Sequence, residues 1–208
     1  MHPSVNTYFV FDIDTTIANN DDRAKLLHPN CVVCGVPMTS SDGSSHQNTW
    51  FCSMCGGTDS KIPQAGWDAF MNEDAMLGDR PIPAAQEFMK RLRHYGANIH
   101  FITGRSERAR TVTETWLSTH YQWDPNREFL LMRGKEHAGK PASVYKDSAI
   151  NDLKTRLQDP GGLYFFFEDD AYVFSMYAQH GIVLKCPEAF AYFNPPGLPR
   201  SLEKAWNR

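Results

Sequence analysis

Asp12 and Asp14 stand one residue apart in "FVFDIDTTIAN" (9–19), directly after a run of apolar and aromatic residues. Two carboxylates that close repel each other, and different partners can push them to different protonation states. One then stays ionised as a nucleophile while the other keeps a proton for a leaving group. Two threonines follow, and Thr16 offers a hydroxyl. Three more sets of residues suited to such chemistry occur further along: Thr103, Gly104 and Arg105; Lys146; and Glu168, Asp169 and Asp170. A rim crowded with acids is costly unless a divalent cation neutralises it, and oxygen-only ligands select Mg²⁺. Acids after strands also cap helix N-termini. Capping accounts for any one of these sites, but poorly for three rims plus a lysine.

Such residues need a scaffold that brings the ends of separate segments together. Thr7–Phe11 reads as a strand that delivers Asp12. Ala85, Phe88, Met89, Leu92 and Tyr95 follow helical spacing, with Pro81 and Pro83 suited to the first turn and Gly96 to the end. "ANIHFI" (97–102) predicts a buried strand, and Ala109, Val112, Trp116 and Leu117 the apolar face of a helix. "EFLLM" (128–132) is a third strand, and Ile150, Leu153 and Leu157 mark another helix. "GLYFFF" (162–167) is a fourth strand, Val173, Phe174 and Tyr177 lie on a further helix, and "GIVLKC" (181–186) closes the series. This alternation predicts an α/β fold with a doubly wound, mostly parallel sheet, which binds ligands beyond the carboxyl ends of its strands.

A length of 208 residues allows one well-buried core and a small appendage. The net charge of -3 argues against a strongly basic nucleic-acid binder, though not against a local basic groove. Apolar runs such as Tyr8–Phe11 and Phe129–Met132 are far too short to span a bilayer, so an intracellular, cytoplasmic protein with no membrane contact is expected. Four of the five cysteines form "CVVC" (Cys31, Cys34) and "CSMC" (Cys52, Cys55), each pair followed by glycine. Two such turns present four thiolates tetrahedrally to one structural Zn²⁺. Between them "TSSDGSSHQN" (39–48) reads as a flexible arm. Residues 21–62 are therefore expected to form a zinc-ribbon insert, folded with the metal's help, within a main domain of 1–20 and 63–208. Cys186 is left for core packing.

The spacing of "FDIDTT", "FITGR", Lys146 and "FFFEDD" resembles the haloacid dehalogenase superfamily of phosphotransferases, over nearly the whole chain outside the insert. Residue 15 is Thr where that family frequently has Gly. The resemblance implies Asp12 as a nucleophile forming an aspartyl-phosphate, and Asp14 as the acid and later base. It implies Thr103 and Lys146 as groups on the phosphoryl oxygens, and Mg²⁺ held by Asp12, Asp14, Glu168 and Asp169, with Asp170 one residue into the next helix. The insert would occupy the position where the superfamily places its caps. More narrowly, "TGRSERARTVTETWL", "FLLMR", "YKDSAINDL" and the double acid, with "WDAF" and "DRPI" upstream, are similar to the 3'-phosphatase domain of bacteriophage-type polynucleotide kinase. That likeness implies Thr16, Gly104, Arg105 and Arg133 as substrate contacts, and a bacterial or phage setting.

"GKEHAGK" (134–140) mimics a phosphate-binding loop, but Pro141 stands where a kinase needs Ser or Thr and a helix N–H. The leading expectation is a Mg²⁺-dependent phosphatase acting on a nucleic-acid 3' end or a nucleotide. A small-metabolite or nucleoside monophosphate phosphatase of the same fold is the second. A silent domain carrying a zinc-ribbon binding module is the third, disfavoured by the presence together of Asp12, Asp14, Thr103 and Lys146. Trp50 and Phe51 beside the second knuckle would suit base stacking, and equally a miniature core.

Overall fold

Strand β1 (Thr7–Phe11) sends alternate side chains to two covered faces, which is why an aromatic and β-branched run forms it. It is the centre of a five-stranded sheet with β2 (Asn98–Ser106), β3 (Leu130–Arg133), β4 (Leu163–Glu168) and β5 (Ile182–Lys185). The spatial order is β5-β4-β1-β2-β3, and every neighbouring pair is parallel. Helices α1 (Pro83–His94), α2 (Arg110–Tyr121), α3 (Ala142–Leu157) and α4 (Ala171–Tyr177) lie between these strands in sequence. The computed structural model describes residues 5–27, 39–40, 50–51, 54, 58–59, 64–187 and 189–190. Cys31, Cys34, Cys52 and Cys55, the expected zinc ligands, lie outside the described residues.

On one face, Tyr8 and Val10 of β1 join Ile102, Leu131, Tyr164 and Phe166 against α3 and α4 in a single buried cluster. On the other, Phe11 stacks on Phe167 at 4.4 Å and meets Phe88 of α1 edge-on at 6.3 Å. Helix α1 starts with Pro83 at its first position and buries Ala85, Phe88, Met89 and Leu92. Tyr95 departs from the expected stripe: the helix stops at His94, and Tyr95 is 58 % exposed beside Gly96 at φ +73°. Helix α4 holds Val173, Phe174 and Tyr177 as expected, and buries Val173, Met176 and Tyr177. Cys186 is buried, as core packing requires.

The chain divides into two compact units, Met1–Asn19 with Pro81–Arg208, and Asn20–Arg80. The second contains a three-stranded antiparallel sheet of Thr39–Ser40, Trp50–Phe51 and Thr58–Asp59, and the helices Gln64–Phe70 and Glu73–Leu77. Buried Arg23 grips Asp79 there through two bonds of 3.0 and 2.8 Å, and its guanidinium lies 4.2 Å over the Phe70 ring. Among the described residues no helix is long and apolar enough to cross a membrane.

Candidate active site

The strand alternation that builds the core also aims the acids. Tyr8 and Val10 face α3, so Asp12, two residues on, follows them. Tyr164 and Phe166 face the same way, and Glu168 at the end of β4 follows in turn. Lys146, one turn into α3, meets both. Its Nζ lies 2.5 Å from Glu168 Oε2 and 3.3 Å from Asp12 Oδ1. All three side chains are nearly or wholly buried. Despite that approach, Asp12 Oδ1 has no hydrogen bond of acceptable geometry.

Asp12, Glu168 and Asp169 each bring a carboxylate oxygen within 4.8 Å of the others. Burial pushes the Asp12 carboxyl well up against the pull of Lys146, and Glu168, Asp169 and Asp14 add to the rise. Glu168 is raised by burial too, with Lys146 opposing. Burial works against the Lys146 ammonium, but Asp12 and Glu168 outweigh it and hold its pKa well above the ordinary value. One buried cation thus faces three carboxylates, and the cluster is short of positive charge. Oxygen donors, an unsatisfied Asp12 oxygen and this imbalance together fit a hard divalent cation.

Asp169 is steered by the turn after β1. Thr16 Oγ1 donates to its Oδ1 at 3.1 Å. The Thr15 hydroxyl lies against Asp169 Oδ2 and, at 2.7 Å, against the carbonyl of Asp14, and can donate to one at a time. Thr15 has φ +58°, a conformation that a β-branched residue adopts only under strain of about 1–3 kcal/mol. A glycine would carry no such penalty there. Asp170 stands outside the cluster: it caps α4, accepting from the Tyr172 N–H at 2.9 Å.

Asp14, also expected in the metal set, has a different partner for its carboxylate. Its carboxylate is held by Arg105, at 2.8 Å from Nη2 and 3.2 Å from Nε, and is not one of the three clustered acids. Arg105, expected as a phosphate contact, has a side chain at 0 % exposure, with its guanidinium 5.8 Å from the Trp116 ring. Its fork holds the Asp14 carboxylate from within the fold. The register of β2 with β3 shifts between Thr103 and Ser106, an irregularity that re-aims side chains at this rim. Buried Thr103 accepts the Arg105 N–H at 3.2 Å, and Gly104 is exposed, with open space where a Cβ would stand. Arg133 ends β3 half-buried, its guanidinium 5.5 Å over the Tyr145 ring. Tyr145, which no sequence expectation singled out, is buried in the cluster beneath α3.

A family model described as HAD superfamily, subfamily IIIB (acid phosphatase) matches residues 48–158, just over half of the chain. That range takes in Thr103 and Lys146 and leaves out Asp12, Asp14, Glu168 and Asp169. Among solved structures, a haloacid dehalogenase-like hydrolase from Streptococcus pneumoniae is 14% identical with a TM-score of 0.58, covering 97% of this chain and 98% of that one. A chain of the Pnkp1/Rnl/Hen1 RNA repair complex is 15% identical with a TM-score of 0.52 over 89% of this chain and 43% of that one, so this chain spans less than half its length. CbbY from Rhodobacter sphaeroides, in complex with phosphate, is 12% identical with a TM-score of 0.52, covering 88% and 87%. At such identities the likeness is one of fold. No curated protein sequence matches the chain.

Proposed function

The chain belongs to the HAD superfamily, subfamily IIIB (acid phosphatase), and we propose that this phosphatase is Mg²⁺-dependent and removes 3'-phosphate from nucleic-acid ends. The observation that carries the chemistry is the buried Asp12 oxygen, unsatisfied, 3.3 Å from Lys146 and grouped with Glu168 and Asp169. Asp12 attacks phosphorus and the ester P–O bond breaks. The electron pair leaves on the alcohol oxygen, which takes a proton from Asp14, and an aspartyl-phosphate remains. Asp14, now ionised, takes a proton from water, whose oxygen displaces Asp12 and releases inorganic phosphate. Lys146 and Thr103 hold the phosphoryl oxygens, and Arg105 keeps Asp14 aimed at the ester oxygen. Asp12, Glu168 and Asp169 would hold the Mg²⁺, which when bound offsets their repulsion and draws charge from the phosphoryl group.

The nucleic-acid end is supported by the stretch from "TGRSERARTVTETWL" to the double acid, which resembles polynucleotide 3'-phosphatases. The fold shared with a chain of an RNA repair complex is in keeping with it. A structural Zn²⁺ on Cys31, Cys34, Cys52 and Cys55 completes the reading. Its support is the donor chemistry and the antiparallel strands that flank Cys52 and Cys55 in sequence.

The test is a panel of 3'-phosphorylated oligonucleotides, 3'- and 5'-mononucleotides and small phosphate esters, assayed with Mg²⁺ and after its removal. Oligonucleotide 3'-phosphates should be preferred, and the preference should shrink as salt rises. Asp12→Asn should lower turnover by at least about 10³-fold. Small esters winning at low salt would replace the nucleic-acid reading by a metabolite phosphatase, and an active Asp12→Asn would remove the covalent mechanism.

A further inference from the structure

Two buried donors beside the Asp12 centre have no acceptor. Tyr145 is 3 % exposed and its hydroxyl makes no hydrogen bond; Arg133 Nε is likewise buried and unpartnered. They occupy one locus, since the Arg133 guanidinium stands 5.5 Å from the Tyr145 ring centre. Native proteins leave few such atoms unsatisfied, so a pair of them at a rim calls for a partner.

Their place in the fold narrows what that group is. Arg133 ends β3, and Tyr145 lies in the opening turns of α3, immediately before Lys146. Sixteen-residue α3 opens on Pro141 with no side-chain cap, so its positive end is not answered by a local acid or hydroxyl. The charges of Lys146, Asp12, Arg133 and Glu107 all act on the Tyr145 hydroxyl, which places it within electrostatic reach of Asp12 and Lys146. Burial pushes its pKa far up, so the hydroxyl keeps its proton and can donate. Arginine, a neutral hydroxyl donor and a helix N-terminus are a set that favours an anion. β3 lies two strands from β1, about 9–10 Å across the sheet. The locus is therefore a neighbour of the scissile phosphate, not the same site.

We propose that Arg133, Tyr145 and the N-terminus of α3 form a second anion subsite that takes a phosphate group of the substrate other than the one transferred. On the reading above, which supplies only the name of its occupant, this is the phosphodiester next to the 3' end. Tyr145 thereby becomes a specificity-determining residue.

Four substrates separate the sources of the second charge: a nucleoside 3'-monophosphate, a nucleoside 3',5'-bisphosphate, a 3'-phosphorylated dinucleotide, and that dinucleotide with a neutral methylphosphonate link. The wild type should prefer each member with a second anionic phosphate to its partner without one in kcat/KM. Tyr145→Phe and Arg133→Gln should each cut that preference about tenfold, mainly through KM, as loss of one hydrogen bond to a charged group does. Tyr145→Phe should also melt no lower than the wild type, because it removes a buried hydroxyl that has no partner. A purely structural tyrosine would give the opposite pair of results, a lower Tm and an unchanged preference. A wild type indifferent to the second charge, or variants that keep its preference, would overturn the subsite. A preference carried by the bisphosphate and not by the dinucleotide keeps the subsite and removes the polynucleotide. Should none of the four be hydrolysed, the function proposed above fails, and calorimetry decides the subsite alone. Pyrophosphate must then bind more tightly than phosphate to the wild type, with the difference lost in both variants; equal binding sinks the proposal.

Discussion

The guanidinium of Arg105 reaches Asp14 from the protein side, through a fork that only arginine can present. Arg105→Lys keeps the charge and loses the fork, leaving the acid free to swing. We expect kcat to fall about 10²-fold, the scale of a small misplacement of a catalytic group, with KM changed much less. Steady-state kinetics on a 3'-phosphorylated oligonucleotide would read this, and a rise in KM at unchanged kcat would return Arg105 to direct substrate contact. Residue type, spacing and the family resemblance made Asp12, Asp14, Lys146 and the acidic triplet visible in the sequence. What type does not carry is direction. Nothing in "TGR" says that the arginine turns inward to Asp14, or that Thr15 takes a left-handed backbone to hand Asp169 its hydrogen bond. The choice among Glu168, Asp169 and Asp170 needed the helix boundary, which makes Asp170 a cap.

Elements were more legible than side-chain directions, because burial on both faces leaves long apolar strands and each helix carries a stripe. The reading that slipped did so at a helix end, where Tyr95 falls beyond α1. One residue in β2 has a measurable cost. His100 is buried between the rings of Tyr8 and Phe129 and accepts the Phe129 N–H at 3.1 Å through Nδ1. Burial lowers its pKa from 6.5 to about 4. The unfolded chain therefore takes up this proton near pH 6.5, and the native one only near pH 4. Its contribution is complete above 6.5 and is lost as pH falls toward 4, amounting to about 3 kcal/mol at the acid end. His100→Asn keeps an acceptor near Nδ1 without a titrating group. Urea unfolding across this range should show a shallower acid slope for the variant, whatever its absolute stability. Identical slopes would mean that His100 is not the residue taking up the proton.

At the scale of the whole molecule, two ions of opposite character are expected to serve two different purposes. Zinc on the four cysteines should co-purify at one per chain and survive mild EDTA, while activity disappears and returns with added Mg²⁺. Elemental analysis and intact mass decide it: absence of zinc, or a mass reduced by two disulfides, would remove the metal ribbon. The sheet order has a consequence for how the protein is made. β1 pairs Tyr8 with Asn98 on one side and Thr7 with Leu163 on the other, so both neighbours of the strand that delivers Asp12 lie far downstream. At translation rates of about 5–20 residues per second, the "TYFVF" segment waits roughly 8–30 s for its second partner to be synthesised. Throughout that time an aromatic strand has an unmatched edge, the state most open to wrong pairing. No nascent chain that stops short of Leu163 can complete the bed on which Asp12 rests, so this strand, although translated before both of its neighbours, is seated only after the second has been made.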